Sequence, residues 1–224
     1  MPDDIQSSKA TVAANESVPD IPEFIHKRIS LLFLVSGIAA ILYQLIWQRA
    51  LFLIDGTNSE SITMIVAVFL LGLGIGSLAG GALSRNPRFD SLKLFAIAET
   101  GIGLFGLASL PLLTFLAETT AGVSVVVGGV IGFAMLLIPT TLMGATLPLL
   151  TQHLVKIHPH VGSVVGDLYY VNTLGSALGC LLAVFVLFYL FGLDGTIVVS
   201  AALNFVVVGL AMHAVRRGER GETT

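Results

Sequence analysis

The sequence of residues 61–84 is SITMIVAVFLLGLGIGSLAGGALS, and it contains no Asp, Glu, Lys or Arg. An apolar stretch of roughly 20 residues is long enough for an α-helix to cross the hydrocarbon core of a bilayer. Similar stretches flank it on both sides. The six predicted spans are 29–48, 61–84, 92–116, 121–153, 163–191 and 196–215. The runs are continuous rather than alternating, which favours helices over the strands of a membrane barrel.

The composition of the whole chain agrees with a lipid environment. Of its 224 residues, 55% are hydrophobic and 11% are charged, whereas a soluble domain usually carries about a quarter charged residues. A small core cannot cover so much apolar surface. We therefore predict an all-α integral membrane protein. The polar segment 1–28, with three prolines and five acidic residues, is predicted to be a disordered cytoplasmic tail.

The basic residues predict the orientation of the chain. With six spans and a cytoplasmic N-terminus, ten of the eleven Lys and Arg residues lie in cytoplasmic segments, and Arg49 lies outside. Such an excess is the signature of the cytoplasmic side of a membrane protein. The same asymmetry keeps 121–153 as one helix, kinked at Pro139, because splitting it would move both Lys156 and the closing basic residues from the cytoplasmic face to the outer face. The tail 216–224 is then cytoplasmic as well.

Small residues recur at a spacing of four in three of the spans. They allow helices to approach closely in lipid, either inside the bundle or at a dimer surface. The predicted packing residues are Gly72, Gly76, Gly80, Gly128, Gly132, Gly175 and Gly179. The segments GSLAG (76–80) and GSALG (175–179) lie three spans apart. Such a distance is typical of a 3+3 inverted repeat, the symmetry within each half of a major-facilitator transporter.

Glu99 is the acidic residue predicted to lie well inside a span, about 10 Å from the cytoplasmic end of its helix. Ionisable groups at such depth usually face a cavity or a partner. Glu99 is therefore a candidate for cation binding or proton coupling. The alternative is a packing carboxyl group that pairs with Thr146 or Tyr170.

Spans four and five bring further polar side chains to a similar depth. The candidates for a cytoplasm-facing pocket that binds an amine, together with Glu99, are Thr146, Tyr169, Tyr170 and Asn172. The alternative is hydrogen bonding between helices, worth roughly 0.5–2 kcal/mol per contact. The two tyrosines also fit an interfacial aromatic belt.

Near the outer end of span one, Gln44 is a further candidate for a polar contact. Trp47 and Arg49 are predicted to anchor the helix at the lipid headgroups. The histidines at 153, 158 and 160 do not match a standard zinc spacing. No metal, cofactor or catalytic residue is therefore predicted.

Two resemblances follow from motifs. The loop GGALSR (80–85), followed by Arg88, is similar to the loop between helices two and three of major-facilitator transporters, although Ser84 stands where that family has an aspartate. The ordered segments SGIAAILYQLIWQRAL (36–51), GLGIGSLAGGALSR (72–85), IAETGIGLFG (97–106), PTTLMGATLPLLTQ (139–152) and LYYVNTLGSALG (168–179) resemble the membrane domain of bacterial spermidine-synthase-like membrane proteins.

The second resemblance implies a half-major-facilitator-like fold in the bacterial inner membrane. In that family an aminopropyltransferase domain commonly follows on the cytoplasmic side. No GGGxG-type loop or soluble αβ segment occurs in this chain, so no enzymatic residue is carried over and the chain itself is not predicted to be an enzyme.

Three functions are consistent with these features. The first is a half-transporter-like module that moves a small cationic or amphiphilic solute, such as a polyamine, as a homodimer or with a partner half. The second is a non-catalytic anchor or assembly subunit of a larger membrane complex. The third is a membrane subunit for a separate cytoplasmic aminopropyltransferase. The lipid bilayer is an expected partner, and nucleic acid is not.

Overall fold

The computed structural model describes residues 23–55, 58–120, 125–156 and 160–219. Their helices are α1 Glu23–Asp55, α2 Asn58–Ser84, α3 Ser91–Thr120, α4 Val125–Val155, α5 Val161–Leu182 and α6 Phe188–Glu219, with a π-helical turn, Ala183–Leu187, between the last two. Residues 1–22 of the predicted tail and residues 220–224 lie outside the described part. The first helix begins at Glu23, within the segment predicted to be disordered.

Five helical stretches of the described chain are long and apolar enough to cross a membrane. They are Arg28–Phe52, Ile62–Ser84, Ser91–Thr120, Val127–Val155 and Val161–Arg216. The prediction of an all-helical membrane protein is therefore confirmed at this level. Predicted spans five and six both lie in the last stretch, which has 56 residues, because no polar loop separates them. The fourth stretch is a single helix that contains Pro139 and Pro148.

The stretch Val161–Arg216 is interrupted at Gly192. A straight helix of this length would measure about 84 Å at 1.5 Å per residue, far more than the roughly 30 Å of a hydrocarbon core. Gly192 has φ 62° and ψ −163°, a conformation that is essentially restricted to glycine. Leu168 before the break and Ala211 after it belong to the same apolar cluster. The chain therefore folds back on itself between these two residues.

Two clusters of buried apolar side chains fill the bundle, one towards each end. The basic-end cluster lies near Arg28, Lys93 and Arg216. Its buried members are Ile29, Leu32, Phe33, Leu92, Phe95, Ala96, Leu149, Leu150, Leu154, Val164, Leu168, Val207, Ala211 and Val215. The opposite-end cluster comprises Ala39, Leu42, Tyr43, Ile46, Trp47, Ala50, Leu51, Ile65, Val68, Phe69, Ile102, Leu113, Leu136, Met143, Ala183 and Ile197. The boundary between the clusters crosses the middle of the bundle.

The main helix contacts pair α2 with α4, α1 with α5, and α3 with α6 and α4, while α1 also contacts α6. Glycines carry the first of these contacts. A Cβ atom added at Gly76 would meet the backbone of Thr141 and Gly144, and one added at Gly80 would meet Ala145 at 2.8 Å. Gly72 faces Thr140 in the same way. These three predicted packing residues therefore allow the α2 and α4 backbones to touch.

The contact between α1 and α5 is built similarly. A Cβ atom at Gly175 would meet the backbone of Leu34, and one at Gly179 would meet Ile38 and Ile41. The other two predicted packing residues have looser surroundings. Added Cβ atoms would lie 3.1 Å from Thr120 Oγ1 at Gly128, and 3.1 Å from Met64 Cε at Gly132. All seven glycines thus have neighbours inside the bundle.

Candidate functional site

A layer of polar side chains lies at the boundary between the two apolar clusters. Along α1, Ser36 separates Phe33 of the basic-end cluster from Ala39 of the opposite-end cluster. Equivalent positions on the other helices are occupied by Glu99 on α3, Thr146 on α4 and Asn204 on α6, each of which is flanked by cluster residues within a turn or two. All four side chains are buried. The sequence therefore interrupts the apolar interior at one depth.

Glu99 is the centre of this layer and is fully buried, with 0% of its surface exposed. Ser36 Oγ donates a hydrogen bond of 2.5 Å to Glu99 Oε1. Asn204 Nδ2 donates one of 2.6 Å to Glu99 Oε2. A carboxyl group in an apolar interior needs such donors, because its desolvation is otherwise uncompensated. One side chain on α3 is thus hydrogen-bonded to both α1 and α6.

These partners differ from the two residues predicted to pair with Glu99. Thr146 Oγ1 donates to Met143 O on its own helix, at 2.7 Å, and Tyr170 is 66% exposed. The prediction of Thr146 or Tyr170 as the partner is therefore wrong. Ser36 and Asn204 are the partners of Glu99 because they lie on α1 and α6, two helices that pack against α3. The signal that could have found them is an uncharged polar residue inside a long apolar run.

A cavity of about 280 Å³ opens beside this polar layer and is lined by residues of all six helices. Its polar lining residues are Ser36, Gln44, Ser77, Thr146, Tyr169, Asn172, Ser176 and Asn204. Phe33, Phe69 and Tyr169 supply aromatic rings. No Asp, Glu, Lys, Arg or His occurs among the described residues that line it. The cavity is therefore a mostly apolar space with uncharged polar groups in its wall and a carboxyl group directly behind two of its wall residues.

The cavity brings together four of the six residues predicted as a binding site. Gln44, Thr146, Tyr169 and Asn172 line it. Glu99 is not a lining residue but is hydrogen-bonded to two residues that are. Tyr170 is not among the lining residues, because on a helix it points about 100° away from its neighbour Tyr169. Sequence reasoning missed Ser36, Ser77, Ser176 and Asn204.

Two of the missed serines connect helix backbones at the cavity wall. Ser77 Oγ on α2 donates to Gly144 O on α4 at 3.2 Å. Ser176 Oγ on α5 donates to Gly37 O on α1, also at 3.2 Å. In each case a glycine lets the two backbones approach, so that a short side chain can reach the facing carbonyl group.

Comparison of the chain with protein-family models, curated proteins and solved structures returned no match.

Trp47 lies inside the bundle and not at the headgroups. It is 0% exposed, and its Nε1 donates to Ser109 Oγ at 2.8 Å. It also stacks on Tyr43 with ring centroids 5.3 Å apart. The prediction of an anchoring role for Trp47 is wrong, because its indole group finds a partner on α3. Arg49, two residues further along α1 and exposed, lies over the Phe188 ring with its Cζ 4.2 Å from the centroid.

The arrangement is chemically suited to holding a small polar ligand away from bulk water. Side-chain hydroxyl and amide groups offer both donors and acceptors, while the aromatic rings offer faces that attract cations. The carboxyl group of Glu99 supplies negative charge when ionised. The expected absence of catalytic residues and metal ligands stays a prediction.

Proposed function

We propose that the chain is a half-transporter-like module that moves a small cationic or amphiphilic solute, such as a polyamine, across the bacterial inner membrane. The observation that carries the proposal is the cavity inside the bundle, which has uncharged polar side chains in its wall and Glu99 behind it. Ionisable groups inside membrane spans commonly mark solute or proton pathways. The motif resemblance to the membrane domain of spermidine-synthase-like proteins points in the same direction.

The proposal includes six membrane crossings, with the stretch Val161–Arg216 crossing twice. Its support is the non-helical Gly192, and the apolar cluster to which both halves of the stretch contribute. In this arrangement the basic residues 28, 85, 88, 93, 156 and 216 share one side. The positive-inside rule makes that side cytoplasmic, which gives cytoplasmic N- and C-termini.

A 3+3 inverted repeat is part of the same proposal. If α1–α3 correspond to α4–α6, the contact of α2 with α4 corresponds to that of α5 with α1, and the contact of α3 with α6 corresponds to itself. All three of these contacts are present. The hydrogen bonds from Ser77 to Gly144 and from Ser176 to Gly37 are also equivalent under this operation. A six-helix half supplies one wall of a path, so we propose a second copy or a partner half opposite it.

The test is solute flux in proteoliposomes that contain the purified chain. Polyamine uptake under a pH gradient is compared for wild type, Glu99→Gln and the matched control Glu118→Gln, which changes an exposed acid near the other end of α3. We expect uptake by the wild type and the control, and at least a roughly tenfold slower rate for Glu99→Gln, which corresponds to about 1.4 kcal/mol. Absence of uptake by the wild type would count against transport.

The two alternative functions give different results in purification. An anchor or assembly subunit is favoured if the chain co-purifies stably with other polypeptides in mild detergent and if Glu99→Gln leaves the activity of that complex unchanged. A membrane subunit for an aminopropyltransferase is favoured if aminopropyl transfer is observed only when the chain is reconstituted with a separate synthase.

A further inference from the structure

When Glu99 is ionised, its carboxylate fixes the orientation of the Asn204 side-chain amide. Asn204 Nδ2 donates to Glu99 Oε2, so the opposite orientation would bring Asn204 Oδ1 against a carboxylate oxygen, where two acceptors repel. The hydrogen-bond network thus assigns which end of the amide is which. Oδ1 is left as a buried acceptor on a residue that lines the cavity.

None of the described residues donates a hydrogen bond to Asn204 Oδ1, although the side chain is only 2% exposed. Buried polar atoms are nearly always paired, and leaving one unpaired is unfavourable. Asn204 lines the cavity. A ligand that brings an N–H group to this wall would supply the missing donor.

The electrostatics of the cavity favour a cation. No basic side chain occurs among its described lining residues, and three aromatic rings border it. Glu99 is one hydrogen bond behind both Ser36 and Asn204. An ionised carboxylate at that distance from a largely desolvated space attracts positive charge more strongly than it would in water.

We infer that the cavity is a site for a protonated primary or secondary amine, in which Asn204 Oδ1 accepts an ammonium N–H and Glu99 is the counter-charge held in position by Ser36 and Asn204. This inference rests on the proposed function and deepens it, because it names the hydrogen-bond donor as the feature that is recognised. A cation without an N–H group satisfies the charge but leaves Asn204 Oδ1 unpaired.

The test uses two isomeric cations, n-butylammonium and tetramethylammonium, which have the same formula and charge but differ in N–H groups. Their binding to the full chain in nanodiscs is measured by titration calorimetry. We expect n-butylammonium to bind at least about tenfold more tightly, the effect typical of one hydrogen bond to a charged group. Equal binding, tighter binding of tetramethylammonium, or binding of neither ion would overturn the inference.

Two variants locate the effect. Asn204→Leu removes the acceptor with little change of volume and is expected to abolish the preference for n-butylammonium. Ser200→Ala, one turn away on α6, removes a hydroxyl group that bonds within its own helix and is expected to keep the preference. An unchanged preference in Asn204→Leu would overturn the role of Asn204. The comparison of the two ions in the wild type does not depend on either variant folding.

The binding experiment and the flux experiment test different claims, so that either claim can be refuted without the other. Polyamine uptake without any preference between the isomers would leave transport standing and remove the amine site at Asn204. A clear preference without uptake would leave the site standing and remove transport.

Discussion

Ser36 and Glu99 are 63 residues apart in the chain and are joined by a hydrogen bond of 2.5 Å in the middle of the bundle. The bond connects α1 to α3. Asn204 connects α6 to the second oxygen of the same carboxyl group, at 2.6 Å. Three helices that are far apart along the chain therefore meet at one side chain. The stability of the fold and the chemistry of the cavity depend on the same contacts.

Ser36→Ala is expected to lower the free energy of unfolding by about 1–3 kcal/mol, because it leaves a buried carboxyl oxygen without its donor. The measurement is equilibrium unfolding in detergent. Ser200→Ala is the control, since Ser200 Oγ bonds to Thr196 O of its own helix at 2.9 Å, and its loss should be about 0.6 kcal/mol or less. Equal losses in the two variants would contradict a special role for the bond to Glu99.

Gly76→Ala is expected to destabilise the protein by about 1–3 kcal/mol, the usual effect of overpacking. An added Cβ would press on the backbone of α4 at Thr141 and Gly144. Gly74, two residues away on the same helix, has open space where its Cβ would be. Gly74→Ala should therefore be neutral or more stable by up to about 1 kcal/mol, because Ala favours helix over Gly. Unfolding in detergent compares the two, and the reverse order would refute the α2–α4 contact.

The bond between Trp47 and Ser109 can be measured with a double-mutant cycle. Trp47→Phe removes the indole donor and Ser109→Ala removes the acceptor. We expect a coupling energy between about 0.6 and 1.7 kcal/mol, which are the average and the maximum measured for hydrogen bonds between membrane helices. The control cycle combines Trp47→Phe with Ser200→Ala, which should be additive because the Ser200 hydroxyl group bonds to Thr196 O of its own helix and not to the indole group. Additivity in both cycles would show that the bond does not contribute.

Gly192→Ala is expected to lower the free energy of unfolding by about 1–3 kcal/mol, because a residue with a Cβ is strained in the backbone conformation of Gly192. The space around it is open, so the effect isolates the backbone conformation. Gly209→Ala on α6 is the control. Gly209 also has open space but no positive φ, so alanine should stabilise it by up to about 1 kcal/mol. Stabilisation in both variants would argue against a break at Gly192.

The sequence predicts the apolar helices well, because hydropathy over 20 residues decides whether a segment can leave water. It also predicts the glycine faces, because a spacing of four places residues on one side of a helix. It does not predict which backbone each glycine meets. That depends on how the helices pair, and nothing local to Gly76 or Gly175 encodes the facing residue.

The candidate site is predicted in part for the same reason. Glu99 is conspicuous because charge is costly in an apolar segment. Asn204 and Ser36 are uncharged and therefore common enough in membrane helices to carry little signal alone. The sequence predicts the wrong position for the Trp47 ring, because a tryptophan near the end of a span usually lies at an interface. The position of a residue along a helix does not reveal whether its ring points inward. The sequence predicts that a span ends at residue 191, but it does not predict that Gly192 is the residue at the break. Glycines in turns and glycines at helix contacts look alike in sequence.

The two apolar clusters have a mechanical consequence. Each end of the bundle is filled by close apolar contacts, whereas the intervening layer contains a void and a small number of directional bonds. Tilting one helix about a pivot in that layer would displace its mid-depth residues least and its two ends most, where the packed clusters lie. A rocking motion with its pivot at mid-depth would therefore keep the hydrogen bonds of Glu99 nearly in place, whereas both apolar clusters would have to repack.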